Sequence, residues 1–206
     1  MKPVRAAPER IVVAAIAPQP WKNGAGLTRE LAVEPSDRGA HRDFDWRISI
    51  ADVDRDAPFS AFPGVDRCIT LLRGAGMRLA SADGTLDHRL DRVLVPFSFP
   101  GDMPLTATLR GGACSDFNVM TRRSAWRAEV VVQRHAFETS GVDALLLFGL
   151  EGGWQIEAGA TDHDASWPLA PQQALLWRAP SERLWITPCG PGATLLAVRL
   201  CHDQRR

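Results

Sequence analysis

Apolar and polar residues alternate along most of the chain, in short stretches that turn residues interrupt about every 8–12 residues. Each such stretch is typical of a β-strand with one buried face, because successive side chains point to opposite sides. The predicted strands are Ile11–Ala17, Leu27–Val33, Trp46–Val53, Cys68–Leu72, Met77–Ala80, Leu86–Leu90, Val93–Val95, Leu105–Leu109, Asp116–Met120, Trp126–Phe137, Leu145–Leu150, Trp154–Glu157, Leu175–Trp177, Leu184–Ile186 and Thr194–Leu200. No stretch forms a convincing amphipathic helix, so the pattern predicts an all-β sandwich or barrel.

Residues 46–73 combine two predicted strands with a loop that Pro and Gly residues punctuate. In the first strand Arg47 and Ser49 alternate with large apolar residues, and the loop brings Phe59 and Arg67 to the start of the second strand. Two arginines, a serine and several aromatic residues therefore meet at one strand–loop–strand corner. Such a corner can form a binding site with an apolar body and a charged end.

The chain also contains a weak internal repeat. Cys68–Leu79 and Leu145–Ile156 each run from an apolar strand through a Gly-containing turn into a second short strand, and each is followed later by a terminal strand, Phe117–Met120 or Leu195–Val198. The offset of roughly 75 to 80 residues suits a duplicated small barrel and is too long for a solenoid repeat. The alternative is that any two β-meanders look alike. We place the seam at Thr121–Ala128.

The charge balance bears on the kind of partner. The chain has 24 basic and 24 acidic residues, a formal net charge of +0, and no long run of one sign. A nucleic-acid surface needs a basic excess, so we expect no nucleic-acid partner. No apolar stretch approaches the ~20 residues of a membrane span, so we expect no membrane partner.

Cysteine usage and the N-terminus point to the cytoplasm. Cys68, Cys114, Cys189 and Cys201 are scattered without C-x-x-C spacing, so we predict reduced, structural thiols. The apolar run Ile11–Ala17 follows two basic residues and could be mistaken for a short signal peptide. Acidic Glu9 and basic Arg10 adjoin it, however, and a first β-strand is the better interpretation.

Familiar cofactor and catalytic motifs are absent. The G-x-G pairs lack a third glycine and no G-K-[ST] loop occurs, so no phosphate-binding helix is predicted. The D-x-D-x-D series at 52–56 lacks the later Gly and Glu of a calcium loop. No two histidines have H-x-H, i,i+3 or i,i+4 spacing, and no G-x-S-x-G is present. We expect neither metal nor cofactor, and interpret Ser115-Asp116 as polarity at the entry to a strand.

Several blocks are similar to motifs of the HutD/Ves family. Residues 21–30 (WKNGAGLTRE) resemble its W-K-N-G-G-G-x-T-x-E opening, and residues 45–51 (DWRISIA) its F-x-W-R-I-S-x-A segment. Residues 58–67 (PFSAFPGVDR) resemble its G-P-F-S-x-F-P-G-x-D-R, and residues 99–102 (FPGD) and 116–120 (DFNVM) its later F-x-G-D and D-F-N-V-M elements. The resemblance covers residues 21–123 and is only general in character after Trp126.

The resemblance implies a bicupin, with two small jelly-roll-like β-barrels of the RmlC-like cupin type in one chain. Residues 1–123 would form the N-terminal barrel with a ligand pocket, and residues 124–206 the C-terminal barrel. It further implies a bacterial protein of histidine utilisation that binds a pathway metabolite such as N-formylglutamate and modulates flux. One departure is Ala25, where the family has a third glycine, because a Cβ restricts φ and fills space.

Arg67 is the first candidate for a ligand contact, because a guanidinium that enters an apolar strand could bind a carboxylate bidentately. The alternative for Arg67 is a salt bridge to Asp66 or another loop acid. Arg47 faces either the barrel interior or solvent. The other candidates are Ser49 beside it, Lys22 and Asn23 at the mouth, and Phe59, which could equally pack in the core with Phe62. Asp102 and Asn118 could orient the arginines if they share the cavity, and are otherwise structural.

Two functions of different kinds remain open. The first is a non-metal binding protein that holds a small carboxylate metabolite and regulates amino-acid catabolism. The second is a metal-independent isomerase or hydrolase acting on the same metabolites. Because a catalyst needs a tuned proton-transfer group near its substrate, and no histidine adjoins the arginine corner in sequence, we favour binding. A homodimer is one of the oligomeric states that the sequence allows. Four Trp residues after residue 150 suggest a second barrel that is packed with aromatics or used as an interface.

Overall fold

The computed structural model describes residues 7–21, 23–35, 44–159, 165–180 and 182–203. Apart from one turn of 3-10 helix at Val13–Ala15, the regular structure in this part of the chain is β-strand. The strands are β1 (Glu9–Val12), β2 (Gln19–Pro20), β3 (Gly26–Glu34), β4 (Trp46–Val53), β5 (Ala57–Phe59), β6 (Val65–Arg73), β7 (Met77–Ser81), β8 (Asp87–Leu90), β9 (Pro96–Pro100), β10 (Leu105–Leu109), β11 (Cys114–Arg122), β12 (Trp126–Gln133), β13 (Phe137–Thr139), β14 (Ala144–Glu151), β15 (Trp154–Ala158), β16 (Ala165–Leu169), β17 (Gln173–Arg178), β18 (Leu184–Pro188) and β19 (Thr194–His202). The all-β prediction is confirmed.

The strands form two units, and each unit is built from two sheets. The N-terminal unit comprises Ile16–Ala128 and the chain from Asp203 onward, and the C-terminal unit comprises Glu129–His202 and the chain up to Ala15. The first strand belongs to the C-terminal unit because β1 pairs with β17, with Arg10 opposite Leu175. This division differs from the predicted domains 1–123 and 124–206, which assigned the first strand to the N-terminal half.

The N-terminal unit contains a six-stranded sheet in the order β2-β3-β4-β11-β6-β9 and a four-stranded sheet in the order β5-β10-β7-β8. One face of the six-stranded sheet packs against the four-stranded sheet, and we call it the inner face. The core between the sheets contains Val53, Ile69, Leu71, Phe99 and Cys114 from the six-stranded sheet, and Phe59, Met77, Leu79, Leu90, Leu105 and Ala107 from the four-stranded one.

The C-terminal unit repeats this strand order. Its sheets run β1-β17-β14-β19-β12 and β13-β18-β15-β16, so that β12, β19, β14 and β17 are adjacent as β4, β11, β6 and β9 are. Equivalent strands begin at residues 46 and 126, 65 and 144, and 114 and 194, an offset of roughly 75–80 residues that agrees with the sequence repeat. The hydrophobic core of the C-terminal unit includes Trp154 and Trp177.

Two predicted strands end earlier than their apolar runs. The run Ile11–Ala17 is extended only to Val12, where pairing with β17 stops and the 3-10 turn begins. The run Trp126–Phe137 is not one bent strand, because β12 ends at Gln133 and β13 continues in the other sheet of the unit.

The segment after β8 shows the reverse error. Val93–Val95, predicted as a strand, is a turn in which Leu94 has a φ of 60°. The following segment Pro96–Pro100, which was not among the predicted strands, is strand β9. A proline cannot donate to a ladder, but β9 lies at the edge of its sheet, where a strand needs hydrogen bonds on one side only.

None of the described residues forms a helix with the length and apolar character that crossing a membrane requires.

The turn between β6 and β7 should tolerate no side chain at Gly76. This residue has a φ of 80°, and a Cβ there would overlap the carbonyl oxygen of Leu90. Gly84 has a similar φ of 76° but open space around it. We expect Gly84→Ala to cost about 1 kcal/mol of stability from backbone strain alone, and Gly76→Ala at least ~2 kcal/mol more. Melting temperatures measured side by side test this, and equal shifts for the two variants would contradict it.

Candidate functional site

Five polar side chains lie together on the inner face of the six-stranded sheet: Arg47, Ser49, Arg67, Asp116 and Asn118. The pleat explains their placement, because Arg47 and Ser49 share a face of β4 with Val53, which belongs to the core between the sheets. We call these five residues the inner-face cluster. It is an unusual interior, since the rest of this core is almost entirely apolar.

The strand β11 sets the spacing of the cluster. Met120, Asn118 and Asp116 follow one another on its inner face at every second residue. Their neighbours on β4 and β6 are, in the same order, Arg47 and Arg67, Ser49 and Ile69, and Ala51 and Leu71. The two arginines therefore flank one end of the strand, and the backbone of Asp116 lies about 13 Å further along it.

Arg67 is buried, with 4% of its surface exposed. Its Nη1 donates a hydrogen bond to the carbonyl oxygen of Ser60 at 3.2 Å, while its Nε has no hydrogen-bond partner. The guanidinium carbon lies 4.3 Å from the ring centre of Phe59, 5.3 Å from Phe99 and 5.5 Å from Phe62, all within range of cation–π attraction. Burial lowers the pKa of Arg67 to about 9, so the group remains charged at neutral pH.

No carboxylate of the described residues forms a salt bridge with Arg67. The alternative partner considered from sequence, Asp66, instead binds Arg123 at 2.7 Å between Oδ1 and Nε. Asp102 also binds Arg123, and its Oδ1 accepts a hydrogen bond from the backbone N–H of Gly64. Asp102 thus fixes the loop before β6 and does not orient either arginine of the cluster.

Arg47 faces the interior, which decides the question that the alternation left open. Its Nε lies 2.6 Å from Oε2 of Glu30 on the neighbouring strand β3, and both side chains are largely buried. The pair is close to neutral as a unit. Arg47 is therefore held in place by Glu30, whereas Arg67 forms no salt bridge with a described carboxylate and is attracted by Asp116 without direct contact.

Asp116 is the residue that the sequence interpretation missed. It is fully buried inside β11, and neither carboxylate oxygen has a hydrogen-bond partner in the described part of the chain. Burial raises the pKa of Asp116 to about 7, against the opposing attraction of Arg67. Two residues on, the Oδ1 of Asn118 is buried and also without a partner. The signal was present as D-x-N within an apolar strand, because period 2 points both side chains inward.

The remaining predicted residues occupy different places. Phe59 packs in the core and contacts Arg67, as either interpretation allowed. Asn23 is exposed, and its Oδ1 accepts a hydrogen bond from the N–H of Ala25 to close the turn before β3. Lys22 lies outside the described residues. Ser49 is buried next to Asn118.

The charges of the cluster suit a single anion. The Arg47–Glu30 pair contributes no net charge and Arg67 contributes one positive charge. With Asp116 ionised the interior is neutral, and with Asp116 protonated it carries one positive charge. Because buried charge is stable only when it is matched, a carboxylate bound to Arg67 fits the protonated form.

At three of the five cluster positions the C-terminal unit has apolar residues. Equivalent strand pairs contain a bulge, at Leu72 in the pairing of β6 with β11 and at Leu150 in the pairing of β14 with β19. Aligned on this bulge and its register, the positions of Arg67, Asp116 and Asn118 correspond to Leu145, Leu195 and Ala197. All three are buried in the apolar core of that unit. The buried Arg–Asp–Asn set is therefore a feature of the N-terminal unit, whereas the C-terminal unit has a different arginine, Arg199, opposite Leu145.

Within the described ranges, no three His, Cys, Asp or Glu side chains are arranged to hold a metal ion. The ring of His88, on β8 of the facing sheet, stacks on Phe97 with centres 3.5 Å apart. Phe97 in turn stacks on Phe99, the ring beside Arg67. Two aromatic rings thus separate this imidazole from the guanidinium.

Replacing Asp116 by Asn should stabilise the protein more at pH 8 than at pH 5. The folded-state pKa of about 7 lies above the ordinary aspartate pKa of 3.8, so the folded protein keeps a proton that the unfolded chain releases between pH 4 and 7. Wild-type stability therefore falls as pH rises through this window, and the Asn variant escapes the loss. We expect a difference between the two pH values on the order of 2 kcal/mol in urea denaturation.

Asp102→Asn provides the control, because hydrogen bonds from Gly64 and Arg123 lower the pKa of Asp102 and its carboxyl is ionised throughout this range. Its effect on stability should be the same at pH 5 and pH 8. A pH-independent effect of Asp116→Asn would contradict the assignment of a buried, neutral-range carboxyl.

Comparison with known proteins agrees with this architecture. The family model HutD matches residues 13–194. The conserved protein of unknown function PA5104 from Pseudomonas aeruginosa PAO1 is 32% identical with a TM-score of 0.83, covering 95% of this chain and 100% of its own. HutD from Pseudomonas fluorescens SBW25, in a structure described as a formate condition, is 25% identical with a TM-score of 0.79, covering 96% and 100%.

More distant structures share the fold alone. An oxalate decarboxylase from Lactobacillus farciminis is 8% identical with a TM-score of 0.66, covering 97% of this chain and 87% of its own. The fold is thus cupin-like. Because the family model spans most of the sequence and a solved relative matches over nearly the whole chain, the protein belongs to the HutD family.

Proposed function

We propose that the N-terminal unit binds a small carboxylate metabolite at the inner-face cluster, without a metal, and that binding modulates amino-acid catabolism. The observation that carries this proposal is Arg67, a buried guanidinium with no salt bridge in the described part of the chain and an unpartnered Nε. An isolated buried charge is costly unless something compensates it. A bound carboxylate would provide the missing charge and accept the free N–H.

The surroundings of Arg67 support a ligand of mixed character. Phe59, Phe62 and Phe99 surround the guanidinium and offer an apolar wall to the carbon skeleton of an acid. Asn118 and Asp116, further along β11, offer polar atoms to its other end. A short acid with a second polar group matches this arrangement of one charged group, an apolar wall and polar atoms.

We further propose that the chain is a bicupin, with one cupin domain per unit. The repeated strand order and the similarity to cupin-like structures support this. The apolar replacements at Leu145, Leu195 and Ala197 support a division of labour, in which the C-terminal domain has no equivalent site.

Histidine utilisation suggests the candidate ligand, because the chain belongs to the HutD family. Among the acids of that pathway, N-formylglutamate combines two carboxylates with an amide and is our first choice. Formate, the condition named for the structure of the P. fluorescens relative, is the smallest carboxylate and serves as a minimal probe.

Isothermal titration with urocanate, glutamate, formiminoglutamate and N-formylglutamate tests the proposal. We expect saturable heat with at least one of these acids, and roughly 30- to 100-fold weaker binding for Arg67→Ala, because a charge-assisted contact is removed. Arg73→Ala is the matched control. Arg73 lies on the same strand but is exposed and paired with Asp52, so its loss should leave affinity unchanged.

Arg67→Met retains apolar volume and covers the case in which the alanine variant does not fold. Circular dichroism establishes folding before each titration. Heat that survives in both Arg67 variants would place the ligand elsewhere, and the absence of heat with all four acids and with formate would overturn the binding proposal.

A second function is favoured by one observation, the near-neutral pKa of Asp116. A carboxyl group that titrates near 7 beside a substrate-binding arginine can act as a general acid or base. The alternative is therefore a metal-independent isomerase or hydrolase that uses Arg67 to hold the substrate and Asp116 to transfer a proton.

Proton NMR spectra of each acid, recorded over hours with stoichiometric protein, separate the two functions. We expect every ligand to be recovered unchanged, as a binding protein requires. Conversion by the wild type that Asp116→Asn abolishes, but Asp52→Asn does not, would instead establish the enzyme. Asp52 is a suitable control because it forms salt bridges with Arg29 and Arg73 away from the inner face.

A further inference from the structure

The inner-face cluster contains one acid, Asp116, that forms no hydrogen bond within the described part of the chain. Asp116 accepts no hydrogen bond from the described residues, although it is fully buried in the middle of a sheet. Arg67 and Arg47 lie at the other end of the cluster, and Arg47 is already paired with Glu30. Asp116 and Arg67 are therefore the two charged groups of the cluster that a bound anion would affect directly.

Charge matching within this closed interior decides which form of Asp116 accompanies a ligand. If a carboxylate binds to Arg67 while Asp116 is ionised, two negative charges and one unmatched positive charge share the space between the sheets. If Asp116 is protonated, the carboxylate and Arg67 balance each other. The second arrangement is the stable one where water cannot screen the charges.

We infer that Asp116 takes up one proton when a carboxylate binds to Arg67, so that the site binds an acid together with a proton and discriminates by ligand charge. The inference rests on the proposed carboxylate site. The proton comes from solvent and is bound by a carboxylate oxygen of Asp116, and no other bond is made or broken. Asp116 is in this sense a specificity-determining residue.

Other titratable and charged groups near Asp116 do not replace it in this role. Those on the strands around it and on the facing sheet are Arg47, Arg67, Glu30, Asp52, Cys114 and His88. Burial raises the pKa of the Cys114 thiol to about 11, so it stays protonated. Burial lowers the pKa of His88 below 6.5, so it is mostly neutral above pH 7. Asp52 and Glu30 are paired with arginines.

The sign of the linkage follows from the charges. In the free protein the pKa of Asp116 is about 7, and a bound carboxylate raises it further because the two negative charges repel. Affinity should therefore be constant below pH 7 and fall as pH rises above 7, by at most about tenfold per pH unit. The fall ends where pH exceeds the pKa of Asp116 in the complex.

Titration calorimetry with N-formylglutamate in phosphate, HEPES and Tris at pH 7.5 measures the proton directly. Neither carboxyl group of this probe titrates between pH 6 and 9, so buffer-dependent heat reports the protein. We expect an uptake of roughly half to three quarters of a proton per ligand, because about a quarter of the free protein already carries the proton at this pH, and constant affinity among the three buffers. Asp116→Asn should bind without proton uptake and with the same affinity at pH 7 and 8.5, whereas His88→Gln should retain the proton uptake of the wild type.

The outcomes separate this inference from the binding proposal. Heat that does not depend on the buffer, or proton uptake that persists in Asp116→Asn, would overturn the role of Asp116 and leave the carboxylate site intact. The wild-type measurement decides the first of these even if the variant is unstable. The absence of heat with N-formylglutamate and with the other acids and formate would overturn the binding proposal itself.

Discussion

The N-terminal unit depends on holding a guanidinium between two sheets without a salt bridge to any acid in the described part of the chain. Arg67 is stabilised by a backbone carbonyl and by the faces of three phenylalanine rings, the nearest 4.3 Å away. Each cation–π contact contributes only about 0.5–2 kcal/mol, so these contacts offset only part of the cost of burying the charge of Arg67. The loop before β6 is correspondingly well anchored, because Gly101 exchanges hydrogen bonds with the backbone of Phe62 and Val65.

The C-terminal unit shows that the fold does not require a buried arginine at this position. The same strand order there encloses Leu145, Leu195 and Ala197 at the positions of Arg67, Asp116 and Asn118. A sandwich filled with apolar side chains gains transfer free energy from every buried group. Polar residues at these positions in the N-terminal unit are thus a cost in stability that only a function explains, which is why the cluster and not the fold identifies the site.

Much of the fold could be predicted from the sequence, because alternation reports which residues share a face. It placed Arg47 and Ser49 opposite Trp46 and Ile48, and it separated most strands correctly. It could not say which face was interior, nor which strands were neighbours, since pairing between distant strands such as β4 and β11 leaves no local trace. Asp116 was overlooked for this reason, because one aspartate near the start of a strand looks the same in sequence whether it meets water or Arg67. Proline at a sheet edge misled the prediction at β9 for a related reason: only the topology shows that an edge is there.

The pairing of β1 with β17 has a consequence for how the chain is made. Arg10 hydrogen-bonds to Gln173, 163 residues further along. At a synthesis rate of about 5–20 residues per second, the first strand leaves the ribosome roughly 10 to 30 s before its partner exists. The N-terminal unit can close during that interval, since its own strands are made in between. β1 therefore stays unpaired until β17 has been made, and a fragment that lacks β1 would expose an unpaired edge of β17 to other molecules.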